Sequence, residues 1–135
     1  MEDTAAVEDL DLVAAEIEAR EPLFHHRGLV HSAETFDRET SDDFREVGAS
    51  GREYSRDLVR RHVLERLAAA DEDDLVAEGW RTEEHRLRPL GADVYLFTYV
   101  LHGQGRVTRR STIWRRDAER GWHALHHQGT VVQDP

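Results

Sequence analysis

The second half of the chain is divided by closely spaced turn signals, and this spacing constrains the fold more than any other feature. Strand-like segments occupy residues 75–87, 94–101 and 106–130, and turn residues separate them at 89–93 and 103–105. The last segment is itself interrupted by a polar, Gly-ended stretch at residues 117–121. Parallel neighbouring strands need a long crossover connection, which these gaps are too short to provide. The sequence therefore predicts an antiparallel meander.

Side-chain alternation divides this meander into two faces. A hairpin centred on Glu119 would pair Thr112 with His126 and Ser111 with His127, and a second hairpin would be centred on Gln104. On this register, the more apolar face is predicted to meet the helices and carries Tyr95, Phe97, Tyr99, Leu101, Ser111, Ile113, Leu125 and His127. The outer face would then carry Thr112, Trp114, Trp122, His126 and Gln128. A β-bulge, which is common in curved sheets, would reverse these assignments.

Three helices are predicted before most of the sheet. Apolar residues recur at helical spacing over residues 4–20, and Pro22 marks the end of this helix. Ser32 can cap a short second helix, and Ser55 can cap a third that runs to an acidic break at residues 71–74. Between these two helices, side-chain polarity alternates with the period of a strand, and a Gly-containing hairpin turn follows. The pattern predicts one α+β domain spanning residues 1–135.

Composition narrows the range of partners and compartments. The net charge is −10 and 34% of the residues are charged, so the surface is expected to be acidic and nucleic acid is not an expected partner. The chain has no cysteine, which excludes a disulfide framework and a thiolate nucleophile. No apolar run approaches the ~20 residues that span a bilayer, so we expect a cytoplasmic protein without a membrane partner.

Three segments of the sequence resemble a known family. DFREVGASGREYSR, DVYLFTYVL and RRSTIWRRDAERGWHALHHQGT are similar to the DUF4440 branch of the nuclear transport factor 2-like (NTF2-like, SnoaL-like) superfamily, and the resemblance extends from Leu10 to Thr130. It implies a cone-shaped α+β fold in which N-terminal helices pack on a strongly curved antiparallel sheet. It also implies a conical pocket and, in many members, a homodimer made through the outer sheet face.

The same resemblance leaves the activity open. Relatives include ketosteroid isomerase, scytalone dehydratase and polyketide cyclases, together with members that only bind ligands or associate with other domains. The catalytic sets of ketosteroid isomerase and scytalone dehydratase have no evident counterpart in this sequence, so no catalytic residue is assigned.

Three polar residues on the predicted helix-facing side are candidates for ligand binding. His127 would lie beside Ser111, and an imidazole with an unperturbed pKa near ~6.5 can exchange a proton at neutral pH. Tyr99 shares that face. The alternative for His127 is a structural histidine, hydrogen-bonded inside a polar-lined cavity. Few polar groups on an apolar wall are typical of a ligand site.

Further candidates come from the first strand and from the tryptophans. Glu46 and Tyr54 could supply an acceptor and a donor at the mouth of the cone, although Glu46 could instead pair with an arginine. Trp114 is a pocket wall if a bulge shifts the register. Without a bulge, Trp114 and Trp122 would lie on the outer face and favour a symmetric homodimer there.

No metal site or cofactor is predicted, because the histidines form no recognised ligand spacing. The chain is therefore predicted to bind a small, partly apolar molecule in the cone pocket, with an isomerase, dehydratase or cyclase-type activity left open. The alternative is a noncatalytic dimerisation or association module with a vestigial pocket.

Overall fold

The computed structural model describes residues 9–26, 28–69, 79–103 and 105–133. Three helices and six strands follow one another in the order α1 (Leu10–Glu18), α2 (Ala33–Glu39), β1 (Thr40–Val47), β2 (Glu53–Ser55), α3 (Arg56–Ala69), β3 (Trp80–Gly91), β4 (Val94–Gly103), β5 (Arg106–Asp117) and β6 (Gly121–Val131). This is the predicted α+β composition.

All six strands belong to one curled, unclosed sheet with the order β2-β1-β6-β5-β4-β3. The strands β3 to β6 pair antiparallel with their sequence neighbours, which confirms the predicted meander. The pairing of β1 with β6 is parallel and was not predicted. It is sterically allowed because α3 and four strands separate β1 from β6 in the chain and provide the long connection that parallel strands need.

Local capping explains where the helices begin. The side chain of Asp9 accepts hydrogen bonds from the backbone N–H groups of Asp11 (3.0 Å) and Leu12 (3.3 Å), so α1 begins at Leu10. The predicted start at residue 4 lies outside the described residues. Ser32 and Ser55 cap α2 and α3 as predicted, Ser32 through a reciprocal capping box with its N3 residue.

The register of the β4–β5 hairpin differs from the predicted one by one residue. Gly103 pairs with Arg106, which places Tyr99 opposite Arg110 instead of Arg109. A shift of one residue exchanges the two faces of a strand, because side chains alternate with a period of two. Ser111 therefore lies on the outer face, and the prediction that it faces the helices was wrong.

A β-bulge at Leu125 separates two registers in the β5–β6 hairpin. Near the turn, Asp117 pairs with Gly121 as a hairpin centred on Glu119 requires. Beyond the bulge, Thr112 pairs with His127 instead of the predicted His126. The extra residue keeps His127 on the helix-facing side, although its predicted neighbour Ser111 is on the other.

The shift in the β4–β5 hairpin places both hairpin tryptophans in the core, because they lie on the turn side of the bulge, where the predicted β5–β6 register holds. Trp114 is 0% exposed and Trp122 is 4% exposed, so neither contributes to the outer face, and the predicted outward placement was wrong. The hydrophobic core lies between the helices and the inner face and includes Val13, Ile17, Leu23, Val30, Phe36, Phe44, Val59, Val63, Tyr95, Phe97, Tyr99, Leu101, Trp114, Trp122 and Ala124.

Candidate functional site

A buried carboxylate lies at the centre of the inner face. Glu21 follows α1 and is 4% exposed. Its Oε1 accepts hydrogen bonds from the hydroxyl of Tyr99 (2.7 Å) and the backbone N–H of Leu23 (3.0 Å), and its Oε2 accepts one from Nε1 of Trp114 (3.0 Å). Burial raises the pKa of the Glu21 carboxyl, and hydrogen bonds from Thr112, Tyr99 and Trp114 oppose that rise.

Thr112 connects this carboxylate to a buried imidazole. Its Oγ1 lies 2.7 Å from Nδ1 of His127, which is 1% exposed. Nε2 of His127 is buried without a hydrogen-bond partner among the described residues. Burial and the nearby Arg110 charge hold the pKa of His127 well below its usual range, so the ring is neutral.

The sheet ladder connects this buried pair to a more open region. Glu46 of β1 pairs with His127 on one side and with Tyr54 of β2 on the other. Burial raises the pKa of Glu46, while the charges of Arg110 and, to a smaller extent, Arg66 and His62 oppose the rise. A carboxylate in this setting can hold or release a proton closer to neutrality than an exposed one.

A cavity of about 450 Å³, here called the mouth cavity, opens beside Glu46. On one side it is bounded by α3 and by the segment that follows Glu21. On the other side it is bounded by the end of β1, by β2 and by the beginning of β5. Its wall combines apolar and polar side chains: Leu23, Phe24, Val59, Val63, Glu46, Tyr54, His62, Arg66, Arg106 and Arg110, together with His25 and the turn residues Gly48, Ala49 and Ser50. A smaller recess of about 160 Å³ shares the three arginines and His25 with it.

The outer sheet face carries a separate depression of about 470 Å³. Thr98, Ser111 and Gln128 lie side by side in it, because these three residues pair across β4, β5 and β6. The inner cavity is the better candidate for a small ligand, since two layers of the fold enclose it and its wall includes a carboxylate of raised pKa.

The structure brings some of the six predicted ligand residues together. Glu46 and Tyr54 line the mouth cavity. Tyr99, Trp114 and His127 share the inner face with them but are buried in the hydrogen-bonded cluster around Glu21, below the cavity wall. Ser111 lies on the other side of the sheet and belongs to neither group.

Several residues of the candidate site were not predicted. Glu21 precedes Pro22 at a helix end, and no local pattern distinguishes it from a solvated turn residue. Arg110 faces inward only because of the one-residue shift in the β4–β5 hairpin. The sequence pattern predicts solvent-exposed positions for His62 and Arg66 of α3 and for Arg106 of β5. Only the packing of α3 over the sheet brings these three side chains to one cavity.

Within the ranges 9–26, 28–69, 79–103 and 105–133, no group of three His, Cys, Asp or Glu side chains is placed to hold a metal ion. No helix in the same ranges is long and apolar enough to cross a membrane.

Comparisons with known proteins give structural matches only. No family model matches the sequence, and no curated protein matches it. The DUF4440 resemblance therefore stays a prediction.

Solved structures match over almost the whole chain. A candidate ketosteroid isomerase from Parabacteroides distasonis is 11% identical with a TM-score of 0.65, and the match covers 98% of this chain and 96% of that one. A protein with a cystatin-like fold from Caulobacter vibrioides is 16% identical with a TM-score of 0.64, covering 94% and 92%. An NTF2-like protein from Cytophaga hutchinsonii is 11% identical with a TM-score of 0.63, covering 93% and 100%. At these identities the likeness shows the fold alone, and the chain has the cone-shaped NTF2-like fold.

Proposed function

We propose that the protein binds a small, partly apolar organic molecule in the mouth cavity. The supporting observation is the composition of the wall. Leu23, Phe24, Val59 and Val63 offer an apolar surface, and Glu46 is among the polar groups that converge on the same space of about 450 Å³. Ligand sites are usually concave and largely apolar, with a few placed polar groups that fix orientation.

Any reaction in this cavity would depend on Glu46. It is the one carboxylate among the described lining residues, and burial raises its pKa. A general base or acid must have a pKa near the working pH, and Glu46 is shifted in that direction. One structural neighbour is a candidate ketosteroid isomerase, so the fold is compatible with isomerase-type proton transfer. Binding is nevertheless the proposal that the geometry supports best.

A bulky side chain introduced at an exposed position of the cavity wall tests the proposal. His62 lines the mouth cavity from α3, whereas its neighbour Arg61 is exposed and does not. A thermal-shift screen of small organic molecules, followed by ligand-observed NMR on the hits, would compare wild type with His62→Trp and Arg61→Trp. We expect hits that lose about ten-fold or more in affinity in His62→Trp and keep it in Arg61→Trp. Hits that bind both variants equally well would contradict the proposal.

A second candidate function is association through the outer sheet face, in the form of a symmetric homodimer with a vestigial mouth cavity. The tryptophans do not support it, since they are in the core. It is supported by a half-buried apolar pair on the outer face, Leu96 and Ile113, beside the depression that contains Ser111. An isologous contact would bury this surface.

Sedimentation equilibrium tests the homodimer. We expect a dimer mass for wild type, a monomer mass for Ile113→Arg, and a dimer mass for the control Leu12→Arg, which alters an exposed apolar residue of α1. A monomeric wild type at high micromolar concentration would exclude this second candidate.

A further inference from the structure

The mouth cavity has a local charge opposite to that of the whole protein. The chain has a net charge of −10, yet Arg66, Arg106 and Arg110 converge on this cavity, and Glu46 is the one carboxylate among its described lining residues. The smaller adjoining recess contains the same three arginines. The site therefore has an excess of positive charge in a protein that is otherwise acidic.

Arginines elsewhere in the molecule meet carboxylates directly. Arg20 pairs with Glu39, and Arg60 lies 2.9 Å from Asp37. In contrast, no carboxylate of the described residues lies within 4.0 Å of the guanidinium groups of the three cavity arginines. Arg110 and Arg66 attract the Glu46 carboxylate at longer range, but no carboxylate of the described residues occupies their guanidinium N–H groups, which a ligand in the cavity can reach.

The immediate contacts of Arg66 and Arg110 also leave N–H groups for a ligand. Arg66 donates a 2.7 Å hydrogen bond to the backbone carbonyl of Phe24, which fixes the side chain at the edge of the cavity and leaves its other N–H groups for further acceptors. Nε of Arg110 is buried and has no hydrogen-bond partner among the described residues. A buried donor without a partner is costly, and an acceptor brought in by a ligand would remove that cost.

We infer that the ligand of the mouth cavity is an organic monocarboxylate, with its carboxylate held by Arg110 and Arg66 and its apolar body packed on Phe24 and Val63. The inference rests on the proposed function and specifies the chemistry of its ligand. A guanidinium is planar and presents two parallel N–H groups, which match the two oxygens of a carboxylate. The apolar wall requires a hydrocarbon body, and Glu46 on the same wall disfavours a dianion such as phosphate by repulsion.

Matched pairs of probes separate charge from shape. The probes are 4-phenylbutyrate and octanoate, each compared with its primary amide, and inorganic phosphate alone. Ligand-observed NMR titrations would use wild type, Arg66→Gln, Arg110→Gln and the control Arg109→Gln. Arg109 is the chain neighbour of Arg110 but lies on the outer face, beside Ser111.

We expect each carboxylate to bind wild type about ten-fold or more tightly than its amide. The preference should fall by about ten-fold in Arg110→Gln and in Arg66→Gln, and stay unchanged in Arg109→Gln. Amide binding should be the same in all variants. If Arg110→Gln does not fold, Arg66→Gln carries the test, since Arg66 is exposed and is not part of the core.

Other outcomes overturn the inference and show which proposal has failed. Equal affinity for carboxylates and amides, with loss of both in His62→Trp, would remove the anion preference and leave the proposed function in place. Phosphate that binds as tightly as the carboxylates would replace the monocarboxylate with a simple anion site. If no carboxylate binds and no neutral compound is sensitive to His62→Trp, both the inference and the proposed function fall.

Discussion

The hydroxyl of Tyr99 donates a 2.7 Å hydrogen bond to Oε1 of Glu21, and this contact joins the middle of β4 to the segment that follows α1. Burial and the adjacent carboxylate raise the pKa of Tyr99 well above its usual value, so the phenol keeps its proton and acts as the donor. The segment fixed in this way continues into Leu23 and Phe24, which form part of the mouth cavity. Glu21 is therefore a positioning residue for the candidate site, although it does not line the cavity.

Replacing Glu21 with glutamine should destabilise the fold by about 1–3 kcal/mol, because an amide NH₂ would face buried donors that need an acceptor. The penalty should depend on pH. Burial raises the pKa of Glu21, so its contribution to stability is fully present below the unfolded value of 4.5 and is lost as pH rises through the folded pKa. Urea unfolding at several pH values should show the difference between wild type and Glu21→Gln shrinking as pH rises.

Glu119→Gln is the matched control for that series, because Glu119 is exposed in the β5–β6 turn. Its unfolding free energy should follow that of wild type at each pH. A Glu21→Gln penalty that grows with pH would show that the hydrogen bonds to the carboxylate outweigh its burial.

The two hairpin tryptophans should differ in their sensitivity to loss of the indole N–H. Trp114 donates to buried Glu21, whereas Trp122 donates to Glu16 at 2.8 Å on the exposed side of α1. Trp114→Phe should therefore cost more than Trp122→Phe, by about 1–2 kcal/mol, since it leaves a buried charge-bearing acceptor with one donor fewer. Chemical unfolding of both variants measures this difference, and equal costs would argue against the Glu21 cluster.

His127 should remain neutral in the folded protein below the pH at which a free imidazole titrates. Burial and the Arg110 charge lower its pKa, so its contribution to stability is present above the unfolded value of 6.5 and is lost as pH falls through the folded pKa. NMR of the imidazole should show no protonation as pH falls through the usual histidine range. His127→Gln should lessen the loss of unfolding free energy over that acidic range, and an unchanged pH profile would contradict the prediction.

Much of the fold could be predicted from the sequence, because its signals are local. Ser32 and Ser55 are N-cap residues that precede helical patterns, and the turn at residues 117–121 sits where its polar, Gly-ended sequence requires. The parallel pairing of β1 with β6 has no local signal, since it joins residues more than 80 positions apart in the chain. It depends on how the helices pack over the sheet.

The faces of the sheet could not be predicted with the same security. A turn that contains Gly103 and Gly105 is compatible with a hairpin centred on one residue and with a hairpin centred between two residues. The two registers differ by one residue, so they place every side chain of β5 on opposite faces of the sheet. The bulge at Leu125 then restores His127 to the inner face. Glu21 was missed for a related reason, because its donors Tyr99 and Trp114 follow it by 78 and 93 residues.

Neighbouring residues of β5 provide a direct test of the observed register. Thr112 is 0% exposed, and its hydroxyl lies 2.7 Å from Nδ1 of His127, whereas Ser111 lies in the outer depression. Thr112→Val keeps the shape of the side chain but leaves the buried Nδ1 of His127 without its hydrogen-bond partner, so it should destabilise the fold by about 1–3 kcal/mol. Ser111→Ala should change the unfolding free energy by less than about 0.5 kcal/mol, as is usual for surface substitutions.

Urea unfolding of the two variants distinguishes the registers, because the register centred on Gln104 and Glu119 predicts the reverse order, with Ser111 buried beside His127 and Thr112 exposed. The observed ladder pairs Thr112 with Phe97 and His127 in one inner row, so only the larger cost at Thr112 agrees with it.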